Sequence, residues 1–314
     1  MIAAHFGVSL PQAGASFEQV LVAARRYEAD GFGSVWVSDH MLMPYGGGAD
    51  LPIFEAVTEL AVVAAHTRRV GLGTNCTNIM FRNPAVFAKE IATLDHASAG
   101  RVVPGLGAGY YTPEFIAFGC PPWRQWQRVQ ALAEAVELVR RLWSGEQVTF
   151  EGTYFRVRNA VCAPVPLQAR PPLLVGGASA TTIRAAACHA DIWSNPPLYE
   201  GRLVANVARL RSAATDAGRD ADEIVVSQRA RVAIGSTEAA ARSELATMVA
   251  KTGPGGAAEV EEHGIWGTPE RVCERIEAYT GQGCSHFVID FYGHDPDASA
   301  ALFAAEVLSQ IHSR

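Results

Sequence analysis

Lysine is almost missing from this chain. Of 26 basic residues in 314, only Lys89 and Lys251 are lysine, and arginine supplies the rest. With the alanine-rich helical stretches, this marks a GC-rich coding bias. The formal net charge is −6, and no basic stripe with interleaved aromatics occurs. Nucleic acid and anionic membrane are therefore disfavoured as main partners. No apolar run approaches a membrane span, and residues 1–10 carry no cationic segment, so the expected location is cytoplasmic. The six cysteines (Cys76, Cys120, Cys162, Cys188, Cys273, Cys284) form no C-x-x-C pair. They read as reduced, mostly buried thiols rather than a disulfide frame or zinc site. His5 has no H-x-H companion, so a metal-dependent barrel hydrolase is disfavoured and no metal site is expected. From its strand His5 could still reach a pocket.

What is present is alternation. Short β-branched or apolar runs take turns with longer amphipathic stretches. Strands are expected at 3–9, 34–38, 70–75, 101–106, 173–176, 191–194, 223–232 and 286–291. Helices are expected at 16–30, 53–67, 84–97, 126–143, 179–189, 200–218, 237–252, 269–282 and 297–312. Ser16 reads as an N-cap and Gly31 as the stop of the first helix. Asn83 and Pro84 read as the cap and first residue of the third, with Arg82 merely preceding them. The rhythm breaks at 146–172, which predicts a β-hairpin and a proline-rich crossing between strands four and five. Eight strand–helix units imply an α/β fold, a (β/α)8 TIM barrel in a single domain over 1–314. An open doubly wound sheet is the structural alternative. The glycine-rich stretches 42–52 and 253–264 follow strands, and are expected to be mobile loops on the catalytic rim.

Four segments carry a resemblance to a known family. They are GFGSVWVSDHM (31–41), FRNPAVFAKEIATLDHASAGRVVPGLGAGYYTPEFIAFG (81–119), PPLLVGGASATTIRAAACHADIWS (171–194) and GTPERVCERIEAYTGQGCSHFVI (267–289). In this order they resemble the luciferase-like flavin and deazaflavin oxidoreductases across nearly the whole chain. The S-D-H and GLGAG-Y segments look most like the branch that uses coenzyme F420.

The resemblance implies roles for particular residues. Asp39 would contact the deazaflavin, and His40 would serve as acid or base beside the hydride-transfer site, since an imidazole exchanges protons near neutral pH. A non-proline cis peptide is implied after strand three, placed at Asn75–Cys76 with Thr74–Asn75 one step away. There Thr74, Asn75 and Cys76 would back the cofactor ring. The segment Gly107-Ala108-Gly109 would hydrogen-bond the pyrimidine side of the ring. Sugar-phosphate-oxidising relatives carry a glutamate where this chain has Tyr110, which is read as a gate, stacking partner or weak acid. Gly176-Gly177-Ala178-Ser179 ends strand five at a helix start, where free amides and the helix dipole suit the cofactor phosphate.

Other groups read as packing. Asp95 and His96 are expected to pack against Arg101, and Trp123, Trp126 and Trp143 to serve core or subunit contacts. Trp193 and Asn195 are expected on the rim. No cluster of lysine or arginine near the mouth demands a phosphorylated substrate. The expected function is F420-dependent hydride transfer to or from a small organic substrate. Two rivals are an FMN-dependent monooxygenase supplied by a partner reductase, and a non-catalytic cofactor-binding subunit. The family resemblance also implies a homodimer and a separate enzyme that recycles the cofactor.

Overall fold

A computed structural model of the chain describes residues 4–44, 51–197, 199–252 and 256–312. Its strands are β1 His5–Ser9, β2 Ser34–Val37, β3 Gly71–Thr74, β4 Thr77–Asn78, β5 Val102–Val103, β6 Gly105–Gly107, β7 Val148–Glu151, β8 Arg156–Ala160, β9 Leu174–Gly176, β10 Ile192–Asn195, β11 Val225–Ile234, β12 Ile265–Gly267 and β13 His286–Phe291. The helices are α1 Phe17–Ala29, α2 Ala56–His66, α3 Pro84–Ala97, α4 Thr112–Ala117, α5 Gln125–Leu142, α6 Ala180–His189, α7 Leu203–Asp216, α8 Glu238–Thr252, α9 Ala257–His263, α10 Pro269–Gly281, α11 Pro296–Leu302 and α12 Ser309–His312. A π-helical stretch, Phe303–Leu308, joins the last two.

Eleven strands form one curled parallel sheet in the order β4-β6-β9-β10-β11-β13-β1-β2-β3-β5, with β12 paired to β11. Both ends of that path lie on the same two stretches of chain. Leu72 on β3 faces Val102 on β5, and after the break at Asn75–Cys76, Thr77 on β4 faces Leu106 on β6. β7 and β8 pair antiparallel as a separate ribbon.

Local chemistry explains the helix ends. The Ser16 hydroxyl accepts from the Gln19 amide while the Gln19 side chain accepts from the Ser16 amide, and Gly31 follows the helix at φ +90°. Asn83 caps α3 by accepting from the Ala85 amide, with Pro84 in the first turn. On α5, Leu132, Ala135, Val136, Val139 and Leu142 recur at helical spacing and are buried, so this face meets the sheet. Inside the curl, Trp36, Leu174, Ile192 and Val288 form a second cluster, with Cys76 and Val103 packed on it.

Four expectations need correction. Residues 257–263 of the expected loop 253–264 form α9 instead, while 45–50 and 253–255 of the two loops fall outside the described residues. Asp95 accepts from the amide and side chain of Gln168, and His96 meets the Val165 carbonyl, so both fasten the proline-rich crossing. Arg101 spends its donors on the carbonyls of Ala64, Thr67, Val70 and Ser98. His5 is exposed at the start of β1, away from the strand ends where a barrel places chemistry. α4, α9 and β12 are too short to show a period in the sequence.

Candidate active site

His40 follows β2. Its Nδ1 lies 3.2 and 3.3 Å from the two carboxylate oxygens of Glu114, which is fully buried on α4. The same carboxylate accepts from the Met41 amide at 3.0 Å. A carboxylate only accepts, so Nδ1 is the donor in this contact and Nε2 is the ring nitrogen that Glu114 leaves unengaged. Tyr110, 55% exposed, stands edge-on to the imidazole with ring centroids 5.5 Å apart. Glu114 was not singled out in the sequence. The signal was there in a lone carboxylate in PEF, just after the glycine segment, on a turn too short to call a helix.

Asp39, just before His40, is tied into the protein. Its buried carboxylate accepts from the Asn78 amide at 2.9 Å and from Arg82 Nη2 at 3.0 and 3.1 Å. Burial pushes the Asp39 carboxyl upward, while Arg82 and the Asn78 amide pull it down. Arg82 is more than a lead-in to a helix. It also holds Glu55 at 2.8 Å and Glu90 at 3.5 Å. Burial opposes ionisation of Glu55, but hydrogen bonds from Thr58, Arg82 and Val57 bring it down to about 2. Behind this cluster Gln12 accepts from the Ser38 amide at 2.5 Å and donates to buried Glu59 at 2.7 Å. Burial pushes Glu59 up to about 7 despite that bond.

The non-proline cis peptide falls at Asn75–Cys76. Asn75 donates to Ser194 Oγ at 3.1 Å, and its carbonyl accepts from Arg229 at 3.0 Å. Arg229 on β11 is itself held by Asp290 on β13 at 2.8 and 3.1 Å. Burial works against the Arg229 charge and Asp290 more than offsets it, so its pKa is raised. An arginine inside the apolar run of β11 was the unread signal for this support. Thr74 is buried, its hydroxyl bridging the amide and carbonyl of Gly105 and meeting Thr77. Cys76 is half-buried, and burial pushes its thiol up to about 12.

The glycines beside the bulge answer first to protein contacts. A Cβ at Gly105 would overlap the Thr74 carbonyl, and one at Gly176 would overlap Cys76 Sγ. Gly107 sits 3.0 Å from Cys76 Cβ by the same construction, and Gly109, at φ +65°, lies against Asn78 and Phe115. Ala108, between them, is half-buried on the core. Asn78 Nδ2 is a buried donor with no partner among the described residues. The Ser179 hydroxyl caps α6 by accepting from the Thr182 amide at 3.1 Å, after Gly177 at φ +135° and Ala178. The first amides of a helix lack internal partners, so this turn presents donors and small side chains together. Trp193 and Asn195, expected on the rim, are fully buried. Trp193 donates to the Gly177 carbonyl, and Asn195 joins Gln228, Asn206 and Tyr199.

Trp143 is core and donates to the Ala88 carbonyl, whereas Trp126 is 57% exposed. Trp123 meets Tyr154 and Phe155 at the β7–β8 turn. It also lines an open cleft of about 550 Å³ shared with Tyr110, Arg124 and Arg128. Two arginines therefore do stand near the mouth. Arg124 caps α5 and Arg128 lies one turn into it, and spacing alone did not show that both reach the cleft. Among the described residues, no group of three His, Cys, Asp or Glu could hold a metal, and no helix is long and apolar enough to cross a membrane.

The histidine–carboxylate pair, the break at Asn75–Cys76 and the glycine-lined start of α6 all sit on an α/β scaffold with a curled parallel sheet. The family model for luciferase-like monooxygenases matches residues 1–286, and the chain belongs to that family. It is 29% identical over 313 residues to an F420-dependent glucose-6-phosphate dehydrogenase of Nakamurella multipartita, covering 91% of this chain and 90% of the relative. Its fold matches an F420-dependent secondary alcohol dehydrogenase, solved with an F420–acetone adduct, at TM-score 0.85 and 22% identity over 98% of both chains. The monooxygenase RslO1 from Streptomyces bottropensis matches at TM-score 0.77 and 28% identity, over 98% of this chain and 99% of that one.

Proposed function

We propose that this chain is an F420-dependent oxidoreductase, transferring a hydride between the deazaflavin and a small organic substrate. One observation carries the reading: His40, tied to buried Glu114, is joined through Asp39 and Asn78 to the Asn75–Cys76 bulge. Relatives aligned over nearly the whole chain are named for F420. When bound, the deazaflavin supplies a carbon centre that gives or takes two electrons as hydride.

The chain's own residues do the rest. His40 Nε2 takes the proton of a substrate hydroxyl as hydride leaves, or returns it in the reverse direction. Glu114 orients the imidazole and balances its charge while it holds that proton. Tyr110 walls the approach to His40. Thr74, Asn75 and Cys76 support the ring from behind, Thr74 acting through the backbone. Asn78 Nδ2 and the backbone of Gly107-Ala108-Gly109 supply partners for the ring's polar edge, and an unpartnered buried donor fits such a group. Gly176-Gly177-Ala178-Ser179 and the first amides of α6 hold the phosphate. Asp39 acts by positioning the residues after the bulge.

In this reading the sheet closes as a (β/α)8 barrel in one domain over 1–314, with the β7–β8 ribbon and its crossing (146–172) inserted between barrel strands four and five. A homodimer in the cytoplasm, with a separate oxidoreductase recycling the cofactor, belongs to the same proposal. The likeness to RslO1 favours a second reading, an FMN-dependent monooxygenase. The His40–Glu114 pair counts against a non-catalytic subunit. Titrating the purified protein with F420 and with FMN separates the readings. F420 should bind the more tightly, and His40→Ala should cut turnover while leaving that affinity nearly intact. Tight FMN binding with F420 unbound overturns the proposal.

A further inference from the structure

We infer that the cleft between α4 and the start of α5 is an anion site, shaped for a single phosphate or carboxylate group. Its lining includes Tyr110, Thr112, Trp123, Arg124, Gln125 and Arg128, two guanidinium groups with no carboxylate among them. Arg128 is 7% exposed. Its Nη1 donates to the Trp123 carbonyl at 2.9 Å, its guanidinium carbon lies 5.1 Å from the Phe115 ring centroid, and its buried Nε has no partner among the described residues.

Three arginines held inside the fold each have a carboxylate partner. Arg82 has Asp39, Arg140 has Asp191 and Arg229 has Asp290. Among the described residues no carboxylate pairs with Arg128, and burial alone pulls its pKa below the usual value. A buried charge without a counter-ion is costly, and an incoming anion removes that cost. The second contribution is independent. α5 is eighteen residues long, and its N-cap, Arg124, has no side-chain oxygen to offer the first amides. Those amides, the helix dipole and the exposed Arg124 guanidinium all favour negative charge at the same place.

The cleft adjoins the proton-transfer pair. Tyr110 forms its wall and meets His40 edge-on, and Phe115, beneath Arg128, follows Glu114 in α4. An anion seated there belongs to a substrate with its reacting carbon near His40, or to the anionic side chain of the cofactor. The site itself stands on the cleft alone and does not depend on the F420 reading.

The test is isothermal titration of the cofactor-free protein with inorganic phosphate at constant ionic strength. Saturable binding is expected, weakened roughly tenfold or more by Arg128→Met, since a charge-assisted hydrogen bond is worth about 1.5–3 kcal/mol. Arg124→Glu should abolish it, and this exposed position keeps the test alive should the buried variant fail to fold. Arg128→Lys should retain part of the affinity. Repeating the titration with F420 present separates the sources. Lost phosphate binding identifies the cofactor side chain as occupant, and retained binding identifies the substrate. No saturable binding, or binding unchanged in Arg124→Glu and Arg128→Met, overturns the inference and points to the α6 turn or elsewhere.

Discussion

Replacing Asp39 with alanine tests the structural part played by this residue without needing a substrate. The Asp39 side chain is fully buried, and that of Arg82 is 12% exposed. Removing one partner of a buried ion pair costs about 3–5 kcal/mol. Arg82 keeps Glu55 at 2.8 Å, which lowers its share of that cost. The Asn78 amide, however, loses its acceptor in the interior, worth about 1–3 kcal/mol. The two effects together give a loss of about 3–4 kcal/mol. At roughly 2–4 °C per kcal/mol, the value for chains of 150–250 residues, the midpoint should fall by about 6–16 °C, toward the low end in a longer chain. Glu55→Ala is the control. It removes a half-exposed cap of α2 and should cost about 1 kcal/mol. Thermal and urea unfolding of both variants measure the difference. If Asp39→Ala unfolds within 2 °C of the parent, or no lower than Glu55→Ala, the reasoning fails.

Three further outcomes are expected. Glu114→Gln leaves one donor facing His40 or the Met41 amide, so turnover should drop about 10–100-fold with substrate KM little changed; unchanged turnover would remove Glu114 from the mechanism. Glu59, raised to about 7 in the folded chain from an ordinary 4.5, binds its proton more tightly folded than unfolded. Its contribution is therefore full below pH 4.5 and is lost as pH rises through 7, so Glu59→Gln should flatten the fall in stability between pH 5 and 8, and an unchanged slope would refute this. Gly105→Ala drives a Cβ into the Thr74 carbonyl, a backbone atom with no room to yield, and should cost about 3 kcal/mol or more in urea unfolding, whereas a neutral effect would contradict the packing at the bulge.

The alternation of runs made most of the sheet and its main helices legible, because period 2 and period 3.6 survive wherever one face is buried. Helix α3 falls on its expected bounds, since Asn83 and Pro84 mark its start chemically. The same logic fails for α4 and β12, which span less than two periods. Single residues were read best where the family pattern is local, as at Asn75–Cys76. They were read worst where partners meet across the fold. The pairs Asp39–Arg82, His40–Glu114 and Arg229–Asp290 join residues 43, 74 and 61 positions apart, and no spacing rule connects them. Trp193 illustrates the opposite error. A strand-end position looks like rim, but its indole turns inward to hold Gly177.

The most direct measurement is a crystal structure of the protein with F420 bound. The account predicts the deazaflavin ring lying against Cys76 with the His40 imidazole beside its reactive face, and the phosphate at the amides that open α6. Ring density away from the third-strand bulge, or a phosphate nowhere near Ser179, would contradict it.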